Sequence, residues 1–278
     1  MEVEVTCKSA LVKTGIPGYD YCLNPYSGCS HGCRYCYAET VLRFRREADR
    51  WGEYVAAKVN FPEVLRRELR RRRRNPGGPA PVRRVLFGTV TDAYQRAEKD
   101  FGLTRSSLEA LADLWPEAEV CILTKSGLVR RDVDVIKRLK GCSVGFTITL
   151  VDDAAAALFE PGAPPPSIRL ETARELLAEG IPVWVFIAPL LPGIGDAPRA
   201  LEQLLAAIRA AGVAEVHVDP LNPYPTAVRR LKALYRTEFP WAERSLDGYL
   251  RNQRAYLDEL AVHLEVLSHR FGYDLRLA

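Results

Sequence analysis

A chain of 278 residues, 47% of them hydrophobic, is long enough to bury a large core, either as one α/β domain or as two small ones. Its mild net charge of +4 does not by itself announce a nucleic-acid partner, and no uninterrupted apolar run approaches the length of a membrane span. The start, MEVEVTCKSA, has neither the basic opening nor the apolar stretch of a secretory signal, so a cytoplasmic protein with no membrane partner is expected.

Taken in chain order, a short strand is expected just before Cys29, where a dense cysteine group begins. Phe61, Val64 and Leu65 then supply one apolar helical face ahead of an arginine run that starts at Arg66 and ends at Arg74. The proline- and glycine-rich stretches at 75–81 and 161–166 read as solvent-exposed loops. Apolar, β-rich runs at 82–90, 118–124, 143–150, 182–189 and 214–219 alternate with helical periodicity at 104–114, 131–139, 168–178 and 198–210. Gly180 and Gly212 supply stop signals for two of these helices. The runs at 82–90 and 182–189 are almost continuously apolar, as strands buried on both faces are. Six parallel strands of this kind predict an α/β fold, a partial (β/α)6 TIM-type barrel over 20–220. A C-terminal helical region follows over 221–278, within a single domain of 1–278.

The chain has seven cysteines, an odd number, and Cys29, Cys33 and Cys36 crowd into eight positions. That pattern fits metal ligation in a reducing compartment better than a disulfide framework. Three thiolates on a [4Fe-4S] cubane leave one iron without a protein ligand, free to chelate the amino and carboxylate groups of S-adenosylmethionine (SAM). Gly28 and Gly32 give the loop the backbone freedom to wrap a cluster closely. Tyr35, immediately before the third cysteine, is the aromatic residue expected beside the adenine. The alternative is a zinc site in which His31 joins the three cysteines, in a non-catalytic nucleic-acid-binding module.

The segment Asn24-Pro-Tyr-Ser-Gly-Cys-Ser-His-Gly-Cys-Arg-Tyr-Cys-Tyr-Ala resembles the cluster loop of the radical SAM superfamily. With Phe87-Gly-Thr-Val-Thr-Asp and Leu123-Thr-Lys-Ser it resembles the branch related to spore photoproduct lyase and DNA repair photolyase-like proteins. The resemblance implies reductive cleavage of SAM to a 5′-deoxyadenosyl radical, and with it an external electron donor such as a flavodoxin or ferredoxin. It also implies that Thr89, Thr91 and Asp92 meet the SAM amino group and that Lys125 pairs with its carboxylate; Asp92 reads equally well as a helix cap or turn. Thr147 and Thr149 are placed to reach the ribose, and Ile187, Ala188 and Pro189 lie where the superfamily wraps the adenine, although core packing explains the last three as well. His217, Asp219, Asn222 and Tyr224, around the end of the last strand, are candidate substrate contacts.

The lyase's hydrogen-donating cysteine, near the carboxyl end of its second strand, has no counterpart in Leu86-Phe-Gly-Thr-Val-Thr-Asp. Tyr94, just past Asp92, is the candidate catalytic donor in its place. The run from Arg66 to Arg74 offers contacts to nucleic-acid phosphates, as a lesion-repairing enzyme needs, and reads otherwise as a solvated helix face.

Overall fold

A computed structural model describes residues 1–42, 50–74 and 83–277. The expected loop at 75–81, the first residue of the run at 82–90 and the last residue of the tail lie outside these.

Six strands run parallel in one sheet: β3 (Tyr21–Leu23), β6 (Arg84–Phe87), β7 (Glu119–Thr124), β8 (Gly141–Thr147), β9 (Val183–Leu190) and β10 (Glu215–Pro220). They are hydrogen-bonded in chain order, and β2 (Val12–Lys13) adds an antiparallel edge beside β3. The sheet does not close, so the architecture is the expected partial barrel. A second sheet sets β5 (Val55–Lys58) between β1 (Glu2–Val5) and β4 (Tyr26–Ser27), next to the cysteine segment.

Helices α1 (Glu39–Leu42) and α2 (Phe61–Arg74) precede β6. Between the later strands come α3 (Glu98–Phe101), α4 (Leu103–Leu114), α5 (Val133–Ile136), α6 (Asp153–Phe159), α7 (Pro166–Ala178) and α8 (Pro198–Ala210). The tail forms α9 (Pro225–Glu238), α10 (Glu243–Arg251) and α11 (Gln253–Phe271), after which Leu277 makes a parallel bridge to Val218 of β10. No helix among the described residues is long and apolar enough to cross a membrane.

Side chains alternate between the two faces of each strand. One face, with Val85, Val120, Val144, Val185, Ile187 and Val218, packs into a single core with Leu108, Ile136, Leu176 and Leu205 of the helices. The other face is concave, and the register aligns Cys22, Leu86, Cys121 and Ser143 across it, with Trp184 and Phe186 on β9. A Cβ on Gly145 would meet the Trp184 ring at 2.3 Å, so the missing side chain of one strand leaves room for the indole of the next. Because the barrel is open, β9 is fully buried only on its outer face, and Trp184 and Phe186 are half-buried. This corrects the reading of that strand as buried on both sides.

Strand ends also differ from expectation. Gly88 takes φ +86°, and a Cβ there would lie 2.4 Å from the Leu123 carbonyl oxygen, so the chain turns off β6 after Phe87. Thr89, Thr91 and Asp92 therefore lie in the following loop, and Thr149 lies beyond the end of β8. The helix expected at 131–139 is a 3-10 turn, Gly127–Asp132, continued by the short α5.

Candidate active site

The cysteine loop leaves β4 at Gly28, whose φ is +79° and whose missing Cβ would strike the Tyr54 carbonyl oxygen at 2.2 Å. On one flank Thr91 Oγ1 donates to the Gly28 carbonyl at 2.6 Å. Gln95 joins it there with Nε2 at 3.2 Å, while its Oε1 accepts the Ser30 N–H at 2.8 Å. On the other flank the Arg34 N–H donates to Phe159 O at 2.8 Å and the Gly162 N–H to His31 O at 3.0 Å. Trp51 Nε1 completes the grip with a 3.2 Å bond to the Cys33 carbonyl. The loop at 161–166 is thus more than punctuation, since Gly162 backs directly onto the cysteine segment.

Cys29, Cys33 and Cys36 all line one cavity at the carboxyl ends of the parallel strands. It holds about 910 Å³ of atom-free space, its open mouth included. Burial pushes the Cys29 thiol up to about 12, with the Asp92 charge adding to the effect, and raises Cys33 and Cys36 as well. Without a metal these are neutral thiols, and loading iron must displace their protons. Among the described residues no three His, Cys, Asp or Glu side chains converge tightly enough to hold one metal ion. That spacing disfavours a Cys₃His zinc site. A cubane presents separate iron corners to three thiolates, so three cysteines on a common cavity, Cys29 and Cys33 buried and Cys36 partly so, fit its donor set.

Around the thiols stand the strand-end residues. Asp92 is fully engaged by the chain itself: Oδ1 accepts the Tyr94 N–H at 2.8 Å and Thr124 Oγ1 at 2.7 Å, Oδ2 accepts the Lys125 N–H at 2.7 Å, and His31 Nδ1 lies 3.4 Å away. Its carboxylate ties two strand ends and the cysteine loop together, which realises the turn reading. Thr89 is held by Asn24, whose Nδ2 donates to its hydroxyl at 2.9 Å, and Tyr37 OH donates to the Thr89 carbonyl at 2.7 Å.

The Lys125 ammonium sits 5.7 Å from the centroid of the Tyr35 ring. Burial works against its charge, the Glu160 and Asp92 carboxylates favour it, and the ammonium is held above the ordinary lysine range. Behind the ring, Tyr35 OH donates to Glu160, which is paired with Arg169, and both partners of the pair are 1% exposed. Arg169 also donates to the Thr147 carbonyl at 2.8 Å and the Pro164 carbonyl at 2.9 Å, so every element of this buried pair has a partner. Burial alone would raise the Glu160 carboxyl, but the Arg169 and Lys125 charges bring it below its usual value.

Thr89, Thr91, Asp92, Lys125, Thr147 and Ala188 line the cavity together with the cysteines and Tyr35. Ile187 is on the opposite face of β9, in the helix-packed core, because alternation puts Phe186 and Ala188 on the concave side. Thr149 is buried with its hydroxyl 3.4 Å from Glu160. Tyr94 is also buried, and its hydroxyl donates to Asp132 at 3.0 Å, away from the cysteine cavity. Asp219 and Asn222 line the mouth, and Tyr224 stacks on Tyr37 at 5.9 Å between centroids. His217 is half-exposed below them, 2.7 Å from Glu215 and edge-on to Trp184.

Several residues that build this site carried no separate signal in the chain. Glu160 and Arg169 lie in a loop and a helix whose local patterns say nothing of each other, and Trp51 and Gln95 are single polar-tipped side chains. Asn24 could have been picked out from the Asn-Pro-Tyr run, where it precedes the cysteines.

A family model described as Radical SAM superfamily matches residues 23–205. An uncharacterised protein of Methanocaldococcus jannaschii is 32% identical over 194 residues, covering 70% of this chain and 69% of that protein. One from Mycobacterium tuberculosis is 36% identical over 280 residues, covering 91% of this chain and 79% of its relative. Among solved structures, spore photoproduct lyase complexed with dinucleoside spore photoproduct superposes with a TM-score of 0.65 at 17% identity, over 85% of this chain and 66% of that one. At this identity the likeness is one of fold.

Proposed function

The chain belongs to the radical SAM superfamily, and from that premise we propose that it is an enzyme in which Cys29, Cys33 and Cys36 hold a [4Fe-4S] cluster. The chemistry supplied there is one-electron cleavage of SAM to methionine and a 5′-deoxyadenosyl radical that takes a hydrogen atom from the substrate. The observation that carries this reading is the placement of three cysteine thiols and the Lys125 ammonium on one cavity at the strand ends.

In this reading Lys125 neutralises the SAM carboxylate, and the loop carrying Thr89 offers acceptors to the amino group. Tyr35, kept in place by Glu160, stands beside the adenine, while Phe186 and Ala188 give an apolar wall and Thr147 faces the ribose. Tyr94 drops out as hydrogen donor, because its hydroxyl is committed to Asp132.

The substrate we propose is a nucleic-acid lesion. The support is α2, which turns Arg67, Arg70, Arg71 and Arg74 to solvent along one side while Phe61, Val64, Leu65 and Leu69 are buried on the other. An external flavodoxin or ferredoxin supplies the electron. The compartment is the cytoplasm, in keeping with seven cysteines that are all free.

Anaerobic reconstitution, dithionite reduction and addition of SAM are expected to yield 5′-deoxyadenosine. Alanine at any of the three cysteines should abolish both the iron load and the product. A fully loaded wild-type cluster that gives no 5′-deoxyadenosine would sink the reading.

A further inference from the structure

Arg230 stands on α9, outside the strands and loops that form the cavity, yet it reaches the cysteine segment. Its Nε donates to the Arg34 carbonyl at 3.1 Å, between the second and third cysteines. Its Nη1 donates at 2.6 Å to Glu39, on α1 just past Cys36. The remaining nitrogen, Nη2, is shut off from solvent and has no hydrogen-bond partner among the described residues.

A buried guanidinium N–H without an acceptor is costly, and the cost disappears when an acceptor fills the space beside it. Thiolate and sulfide sulfurs on a loaded cysteine loop are such acceptors, and partners of this kind tune a metal centre as well as orient it.

We infer that Arg230 is a positioning residue that clamps the Cys36 end of the loop and whose cation sets the reduction potential of the cluster, an inference that rests on the cluster reading above. One-electron reduction adds a negative charge to the cluster and its thiolates. A nearby guanidinium stabilises the reduced form more than the oxidised one and moves the potential upward. Glu39, paired with the same guanidinium and 13% exposed, partly cancels that field. Removing the two partners one at a time must therefore shift the potential in opposite directions.

The test is an EPR-monitored redox titration of the reconstituted full chain without SAM. Arg230→Met is expected at a more negative midpoint than wild type, Glu39→Gln at a more positive one, and Arg230→Lys, which keeps the charge, close to wild type. A role in folding alone produces no such pair of opposite shifts. Unmoved midpoints in Arg230→Met and Glu39→Gln, each with full iron and sulfide, overturn the inference. Should Arg230→Met fail to hold the cluster, a Glu39→Gln midpoint that stays put or moves negative overturns it alone. A wild-type chain that takes up no cluster overturns the underlying reading instead, so the two failures are told apart.

Discussion

Gly32 and Gly52 meet backbone to backbone across the cysteine loop: a Cβ on Gly32 would lie 3.1 Å from Gly52 Cα, and one on Gly52 would lie 3.0 Å from Gly32 Cα. Both residues have positive φ, +58° and +92°. Gly32→Ala and Gly52→Ala therefore combine a contact that must be relieved with roughly 1–2 kcal/mol of left-handed backbone strain each. Both variants are expected to lose iron on reconstitution and to melt earlier than wild type, whereas Gly102→Ala, also at positive φ but with open space around it, should melt earlier and keep its iron. Calorimetry and iron content decide this, and a Gly32→Ala protein with full iron and wild-type melting would refute it.

The pair Glu160–Arg169 is buried on both sides, so breaking it leaves a stranded charge. Arg169→Met is expected to cost about 3–5 kcal/mol, and adding Glu160→Gln should recover much of that loss. Because the folded carboxyl sits below its usual value, the pair's contribution is complete above about pH 4.3, the unfolded value, and fades as pH falls through the folded one. Denaturant unfolding across the acid range checks the sign: the acid loss of stability should shrink in Arg169→Met. An unchanged acid limb would contradict the assignment.

If Lys125 pairs with the SAM carboxylate as proposed, replacing it by Met should remove a charge-assisted contact worth about 1.5–3 kcal/mol, which corresponds to roughly a 10- to 150-fold loss of SAM affinity. Cluster content should be retained, since the Lys125 side chain meets the cysteine loop at the Tyr35 ring, which its bond to Glu160 holds independently. Equilibrium dialysis of SAM against the loaded protein measures the change. Wild-type affinity would remove Lys125 from the cofactor site.

The arginine face of α2 makes a quantitative claim about salt. Substituting Arg67, Arg70, Arg71 and Arg74 by Gln should weaken binding to lesion-bearing duplex DNA. If each contacts one phosphate, the slope of log K against log salt should also flatten by about 0.9 per lost contact. Arg66, paired with Asp113 at 2.8 Å, is the internal control, expected to change the slope little. Identical slopes for the fourfold variant and wild type would return this face to the solvent.

The alternation of apolar runs and helical periodicity makes the parallel strands legible in the sequence, because burial against helices demands that pattern over the whole strand, and the spacing of Cys29, Cys33 and Cys36 marks the loop. Strand ends were not legible in the same way. Gly88 ends β6 through a backbone conformation and a close approach to Leu123, neither of which hydrophobicity records. On β9 both faces are apolar, so the sequence shows no period of two, and nothing in it tells Ile187, on the core face, from Phe186, which lines the cavity. Asp92 offered two readings, and only the positions of Thr124, Lys125 and His31 in space show how many donors converge on it. The Glu160–Arg169 pair depends on α7 folding back against β8, a tertiary event with no local trace.

The bond from Arg230 to the Arg34 carbonyl joins positions 196 residues apart. During synthesis the cysteine loop is thus made early and finished late: its Cys36 end lacks the Arg230 clamp until α9 has left the ribosome. On the proposed cluster reading, iron delivered before that moment would meet a half-built socket and iron delivered after it one already braced, so the order of the chain would set the timing of cofactor insertion.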